Sequence, residues 1–238
     1  MNTDNELILQ KQDVAKPIYN LTPFTLLDYP HKSACILWFA GCNMRCLYCY
    51  NPEIVFGKGI ISYENAIQFL KGRKQLLDAV VLSGGECLLH KKSIDFITEI
   101  KEMGFLVKID TNGSKPEVLE ELIKKGLIDY VALDFKAMPD NFEKITQSNL
   151  FVAFEKSLHL LLQKDIQFEV RTTVHSDLLK KEDIREMICY LENVGYTGNY
   201  YIQHFKNDVT TIKKLEHSFR ELENESLSTE NIKICFRG

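Results

Sequence analysis

Six short apolar runs, spread through the chain from Ala34 onward and each ending in polar residues, constrain the fold more than any other feature. They are ACILWFA (34–40), AVVLSGG (79–85), FLVKIDT (105–111), YVALDFK (130–136), FEVRTTV (168–174) and YYIQHF (200–205). Runs of this length without polar alternation suit parallel strands covered by helices. The segments between them carry helical stripes: Ala66/Ile67/Leu70 behind Ser62, Ile97/Ile100 before Gly104, and Val118/Leu119/Leu122/Ile123 between Ser114-Lys115-Pro116 and Gly126. Phe151/Phe154/Leu158/Leu161 and Ile184/Met187/Ile188/Leu191 repeat the spacing. Ser62 and Ser114 stand where N-caps belong, and Gly104 and Gly126 where helices stop.

Repeated βα units make an open doubly wound sheet or a barrel. Here almost every strand ends in chemically capable residues: the cysteines after the first, then GlyGlyGlu, AspThrAsnGly, AspPheLys, ArgThrThr and GlnHis. A barrel gathers all its strand ends on one face, whereas an open sheet gathers only those at its switch point. The expectation is an α/β fold: a partial (β/α)6 TIM-like barrel of parallel strands over residues 31–205. An N-terminal extension (1–30) and a C-terminal helix and strand extension (206–238) complete it. The helix is read from Ile212, Leu215, Phe219 and Leu222, and the strand from the alternating IKICF at 232–236. With 45% hydrophobic and 26% charged residues in a chain of 238, there is enough apolar side chain for one large core.

No window approaches the roughly 18 apolar residues of a membrane helix, and the first residues lack the apolar stretch of a signal peptide. A cytoplasmic location is expected. There the seven cysteines would be free thiols or metal ligands rather than disulfides. A net charge of −4 offers no general attraction for nucleic acid.

Cys42, Cys46 and Cys49 fall within the stretch GCNMRCLYCYNPE, directly after the first run. A structural zinc site wants four ligands in two spaced pairs, and Cys35, Cys87, Cys189 and Cys235 contain no second CxxC. Three unrelated buried thiols would be unusual in a polar loop. Thiolates suit iron–sulfur clusters, and three on a four-iron cubane leave one iron open to a reacting ligand.

The CxxxCxxC spacing with Tyr48 before the last cysteine, followed by SGGE at 83–86, resembles the radical S-adenosylmethionine superfamily. LLDYP (26–30), CYNPE (49–53), KIDTNG (108–113), DYVALDFK (129–136) and RTTV (171–174) narrow the likeness. Together they resemble the longer form of the anaerobic ribonucleoside-triphosphate reductase activating proteins. The resemblance implies a [4Fe-4S] cluster on Cys42, Cys46 and Cys49, with S-adenosylmethionine chelating the open iron as cosubstrate. It implies cofactor contacts from Tyr48 (adenine), Gly84, Gly85 and Glu86 (methionine ammonium), Asp110 and Asn112, and Asp134 with Lys136. Arg171, a charge inside an apolar strand, needs an acid partner or an anionic ligand, and His204 falls near the nucleoside end or packs in the core.

The implied activity is reductive cleavage of S-adenosylmethionine and hydrogen abstraction from a glycine of anaerobic ribonucleoside-triphosphate reductase, with a flavodoxin- or ferredoxin-type electron donor. The alternatives are a radical enzyme acting on a small molecule or peptide, such as a 7-carboxy-7-deazaguanine synthase, and a metal-stabilised binding module without catalysis. Two positions depart from the family pattern: Cys87 replaces the proline after GGE, and Tyr50 the histidine after the last cysteine.

Overall fold

The computed structural model describes residues 16–219, 222 and 227–237. The first fifteen residues of the expected N-terminal extension therefore lie outside it. Eight strands form one sheet in sequence order: β1 (Ile18–Thr25), β2 (Ala34–Phe39), β3 (Ala79–Gly84), β4 (Leu106–Thr111), β5 (Tyr130–Asp134), β6 (Gln167–Val174), β7 (Gly198–His204) and β8 (Ile232–Arg237). β2 to β8 pair in parallel, and β1 pairs antiparallel with β2. The sheet curls on itself, because one cavity is lined by Trp38, Ser83, Asp110, Asp134, Arg171, Gln203 and Arg237, one from each strand β2 to β8. Among the described residues β8 and β1 do not pair with each other, so the barrel is partial.

The crossovers contain α1 (Pro52–Phe56), α2 (Tyr63–Lys71), α3 (Ser93–Glu102), α4 (Pro116–Lys124), α5 (Pro139–Thr146), α6 (Phe151–Gln163) and α7 (Lys181–Asn193). Their apolar stripes pack on the outward side chains of the strands in one continuous core that includes Leu82, Ile109, Leu133, Leu158 and Leu191. The inward side chains grade along the strand direction. Ala34, Ile36, Ala79 and Val81 near the strand starts form a small apolar cluster plugged by Tyr29 from the β1–β2 turn. Lys108, Asp110, Asp134 and Arg171 follow further along. Charge thus sits where strands end, at the face on which barrels place active sites.

Local chemistry explains several of the helix ends. Ser62 Oγ accepts the Asn65 N–H at 3.2 Å and caps α2, and Gly104 and Gly126 take positive φ just past α3 and α4. Ser114 does not cap α4. Lys115 occupies that position without a side-chain bond, Pro116 opens the helix, and Ser114 Oγ instead accepts from Asn43 Nδ2 at 2.8 Å.

Over the described residues 212–219 the expected carboxyl-terminal helix is also not formed, and residues 220 and 221 of it lie outside the described residues. Residues 206–219 run as a loop across the face bearing the cysteines, where the Ile212 N–H donates to Cys49 O at 3.2 Å and the Lys213 N–H to Leu47 O at 3.1 Å. Lys213 and Lys214 belong to this loop. The expected strand at 232–236 is β8, and β1, α1 and α5 are additional to the elements read from the sequence. Among the described residues no helix is long and apolar enough to cross a membrane.

Candidate cluster and cosubstrate site

The cysteine loop leaves β2 at Gly41, whose φ of 83° turns the chain sharply. Its backbone is then bonded on two sides. The N–H groups of Arg45 and Leu47 donate to Thr146 O and Ile145 O at the end of α5, at 2.8 and 3.0 Å. The 206–219 loop supplies the donors to Leu47 O and Cys49 O, and the Arg45 guanidinium closes the loop on itself through Cys42 O and Met44 O at 2.6 and 2.7 Å. A segment without regular structure is thereby held in one shape.

The next strand end is zipped to this loop. Gly85 N–H donates to Phe39 O at 2.8 Å and Glu86 N–H to Gly41 O at 2.9 Å. A Cβ on Gly85 would stand 1.8 Å from Gly41 O, and one on Gly84, at φ 110°, would stand 2.5 Å from Phe39 N. Both glycines are therefore required by the close approach of two backbones.

A cavity of about 370 Å³ opens over these loops, a volume suited to a small-molecule ligand. Twelve of the thirteen residues singled out from the sequence line it: Cys42, Cys46, Tyr48, Cys49, Gly84, Gly85, Asp110, Asn112, Asp134, Lys136, Arg171 and His204. Glu86 does not. Its carboxylate, fully buried, accepts the Thr111 hydroxyl at 3.0 Å, the Asn112 N–H at 2.8 Å and the Leu88 N–H at 3.1 Å, so it braces the turn after β4 from behind. Burial raises its pKa to about 7 against these donors, which lower it.

Five charges alternate in sign along the wall. Lys108 pairs with Asp110 at 3.1 Å, Arg171 with Asp110 at 3.3 Å and with Asp134 through Nε, and Lys136 with Asp134 at 3.0 Å. Arg171 thus has the acid partners that a charge in an apolar strand requires. Burial by itself would raise both acids, but Arg171 and Lys108 hold Asp110 below the usual carboxylate range, and Arg171 and Lys136 hold Asp134 at about 2. Burial opposes the charge on Lys136, yet Asp134 raises its pKa well above the ordinary lysine value. Asp110, Asp134 and Lys136 therefore stay ionised throughout the neutral range.

Other lining residues were not assigned as cofactor contacts: Trp38, Ser83, Thr173, Gln203, Lys206 and Arg237. Arg237 arrives on β8, forks onto Glu169 at 3.1 and 3.2 Å and lies 3.4 Å over the Tyr201 ring. The strand read from the tail stopped at Phe236 and did not include Arg237. His204, at the end of β7, stacks on Phe236 of β8, 5.4 Å between centroids. Cys87 lies outside the cavity, fully buried, with its thiol directed at Asp110 O at 3.6 Å.

A family model for the radical SAM superfamily matches residues 36–194, two thirds of the chain. The chain belongs to that superfamily. Radical SAM proteins hold a [4Fe-4S] cluster and use S-adenosylmethionine. Among relatives, a putative glycyl-radical enzyme activating enzyme of Methanocaldococcus jannaschii is 34% identical over 199 residues, 79% of this chain and 80% of its own length. A pyruvate formate-lyase-activating enzyme of Clostridium pasteurianum is 29% identical over 185 residues, covering 74% and 76%. The structure of Streptococcus suis SuiB bound to S-adenosylmethionine superposes with a TM-score of 0.62 at 12% identity, over 85% of this chain. The chain spans about half of that larger protein (52%), and the likeness concerns the fold.

The cavity of this radical SAM protein suits such cofactors on its own chemistry. Among the described residues no three cysteine, histidine or acidic side chains converge on one metal ion. Three thiols spread along one cavity wall suit a cluster, in which each cysteine binds a different iron. Burial raises the pKa of Cys42 and takes that of Cys46 to about 12, so metal binding there releases protons. The buried Tyr48 hydroxyl finds no hydrogen-bond partner among the described residues, as expected of a group that completes its bonding with a ligand.

Proposed function

We propose that this protein activates a glycyl-radical enzyme, with an anaerobic ribonucleoside-triphosphate reductase as the protein substrate. Cys42, Cys46 and Cys49 would hold a [4Fe-4S] cluster, and the cavity beside them would hold S-adenosylmethionine. When bound, that pair supplies reductive cleavage of a carbon–sulfur bond and an oxidant able to remove a carbon-bound hydrogen. The chain's own residues do the rest. Lys136 and Arg171, held charged by Asp134 and Asp110, give the cosubstrate's carboxylate and ribose fixed partners. Asp134 and the carbonyls of the Gly84–Gly85 turn face its ammonium, and Tyr48 packs beside its ring. His204 stands at the nucleoside end.

The observation that carries the reading is the extended similarity to an archaeal putative activating enzyme, covering about four fifths of both chains. Removing a hydrogen atom from the glycine Cα leaves a radical delocalised into the flanking peptide groups, and the electron that starts the cycle comes from a flavodoxin- or ferredoxin-type donor.

The test is anaerobic mixing of cluster-loaded protein with S-adenosylmethionine, a reductant and the reductase. A glycyl-radical signal in electron paramagnetic resonance is expected. An intact cluster without that signal overturns the substrate assignment, and turnover of a small molecule with no protein partner would replace the whole reading.

A further inference from the structure

The turn after β4 reaches across the cavity floor to the cysteine loop. Asn112 Oδ1 accepts the Ser114 backbone N–H at 3.0 Å. A backbone N–H can only donate, so this bond decides which way the amide points and leaves Nδ2 on the opposite side. That Nδ2 donates to Cys42 Sγ at 3.7 Å and to Asn43 Oδ1 at 3.0 Å. Asn43 returns a bond from its own Nδ2 to Ser114 Oγ at 2.8 Å. Two asparagines and a serine thus join the turn to the loop at the first cysteine.

The turn has little freedom to move. Glu86 takes the Asn112 backbone N–H and the Thr111 hydroxyl. Ser157 Oγ donates to Gly113 O at 2.6 Å, and Gly113, at φ 74°, leaves only 2.9 Å between a notional Cβ and Leu133. The N–H that faces Cys42 is therefore held in place before any ligand arrives.

We propose that Asn112 tunes the cluster by donating its side-chain N–H to the Cys42 sulfur. Hydrogen bonds to the ligating sulfurs are among the levers that set a cluster's reduction potential. A donor stabilises the more negative, reduced state, so Asn112 makes the cluster easier to reduce. Glu86 is then a positioning residue that acts through Asn112. The second donor to this sulfur, the Met44 backbone N–H at 3.4 Å, cannot be removed by substitution, which makes Asn112 the adjustable one. The proposal rests on the cluster reading given above.

Asn112→Asp keeps the acceptor for Ser114 and replaces the donor to sulfur with a negative oxygen, and Asn112→Ala removes the group. Iron and sulfide content and the midpoint potential, from a redox titration followed by electron paramagnetic resonance, are measured on reconstituted full-length protein. Both variants should hold the cluster at a more negative potential, Asp further than Ala. The expected change in the reduced-to-oxidised ratio at a fixed solution potential is roughly threefold to tenfold, tenfold being about 59 mV for one electron.

A loaded cluster with an unmoved potential overturns the proposal alone. Wild-type protein that takes up no iron and sulfide overturns the cluster reading and the proposal with it. If the variants fail to load, wild-type protein carrying asparagine labelled with 15N in the side-chain amide decides: a weak nitrogen coupling to the reduced cluster supports the contact, and its absence overturns it.

Discussion

At the scale of single residues, Gly85 is the position with least tolerance. A methyl group there would meet the Gly41 carbonyl oxygen at 1.8 Å, and both partners are backbone, so neither can swing aside. Gly85→Ala is expected to cost about 1–3 kcal/mol or more, read as a lower urea midpoint of the metal-free protein. Glu86 makes a different prediction, because its pKa rises from 4.5 in the unfolded chain to about 7 when folded, through burial. Its contribution is fully present below about pH 4.5 and is lost as pH rises through about 7, up to about 3 kcal/mol in all. Glu86→Gln should flatten that part of the stability profile; identical slopes for the two proteins between pH 5 and 7.5 would refute it.

Such roles were only half legible in the sequence. The glycine pair and its acid were recognisable as a motif at a strand end. That the glycines serve a backbone approach, and that the acid turns inward to Thr111 and Asn112, depends on neighbours that a linear reading does not supply. Tyr50 is similar. It stands out as a departure from a family pattern, and its purpose emerges only from the Lys206 N–H that donates to its hydroxyl at 2.7 Å.

At the scale of elements, the loop over residues 206–219 shows where periodicity misleads. Ile212, Leu215, Phe219 and Leu222 have helical spacing, but spacing states only what a helix would bury. Here the backbone donors of residues 212 and 213 go to Leu47 and Cys49, His175 Nε2 lies 2.9 Å from Glu216 O, and Asn207 bonds Ser218 in both directions. Phe219 remains 65% exposed. Non-local partners replaced the local ladder. Tyr50→Phe should loosen this loop by about 1 kcal/mol, seen as faster hydrogen exchange at 206–213 with exchange in β3 to β6 unchanged. Uniformly faster exchange would mean that the tyrosine supports the whole fold instead. The strands β2 to β7 were legible because parallel strands buried on both faces carry their own signature. β1 was not, since IYNLTPFT has a proline and no clean alternation, and its place comes from pairing with β2.

At the scale of the whole molecule, the partial barrel brings seven strand ends to one cavity, and its function depends on their meeting there. Cys46 is the test of that convergence, being both buried and within the cavity wall. Cys46→Ala should fold, as a small substitution at a buried thiol, and should lose most of the iron and acid-labile sulfide of the reconstituted protein. Retention of both would mean that the cluster is held by other ligands.

The sequence by itself determined the fold class, the order of the parallel strands, the three thiols and the row of charges, because each of these is written in spacing and periodicity along the chain. Only the tertiary structure decided that Glu86 faces away from the cavity, that Arg237 faces into it, and that residues 206–219 bind the cysteine loop rather than coil. Those outcomes depend on which distant groups meet a donor, an acceptor or a charge, and folding settles that by satisfying buried polar groups across the whole molecule.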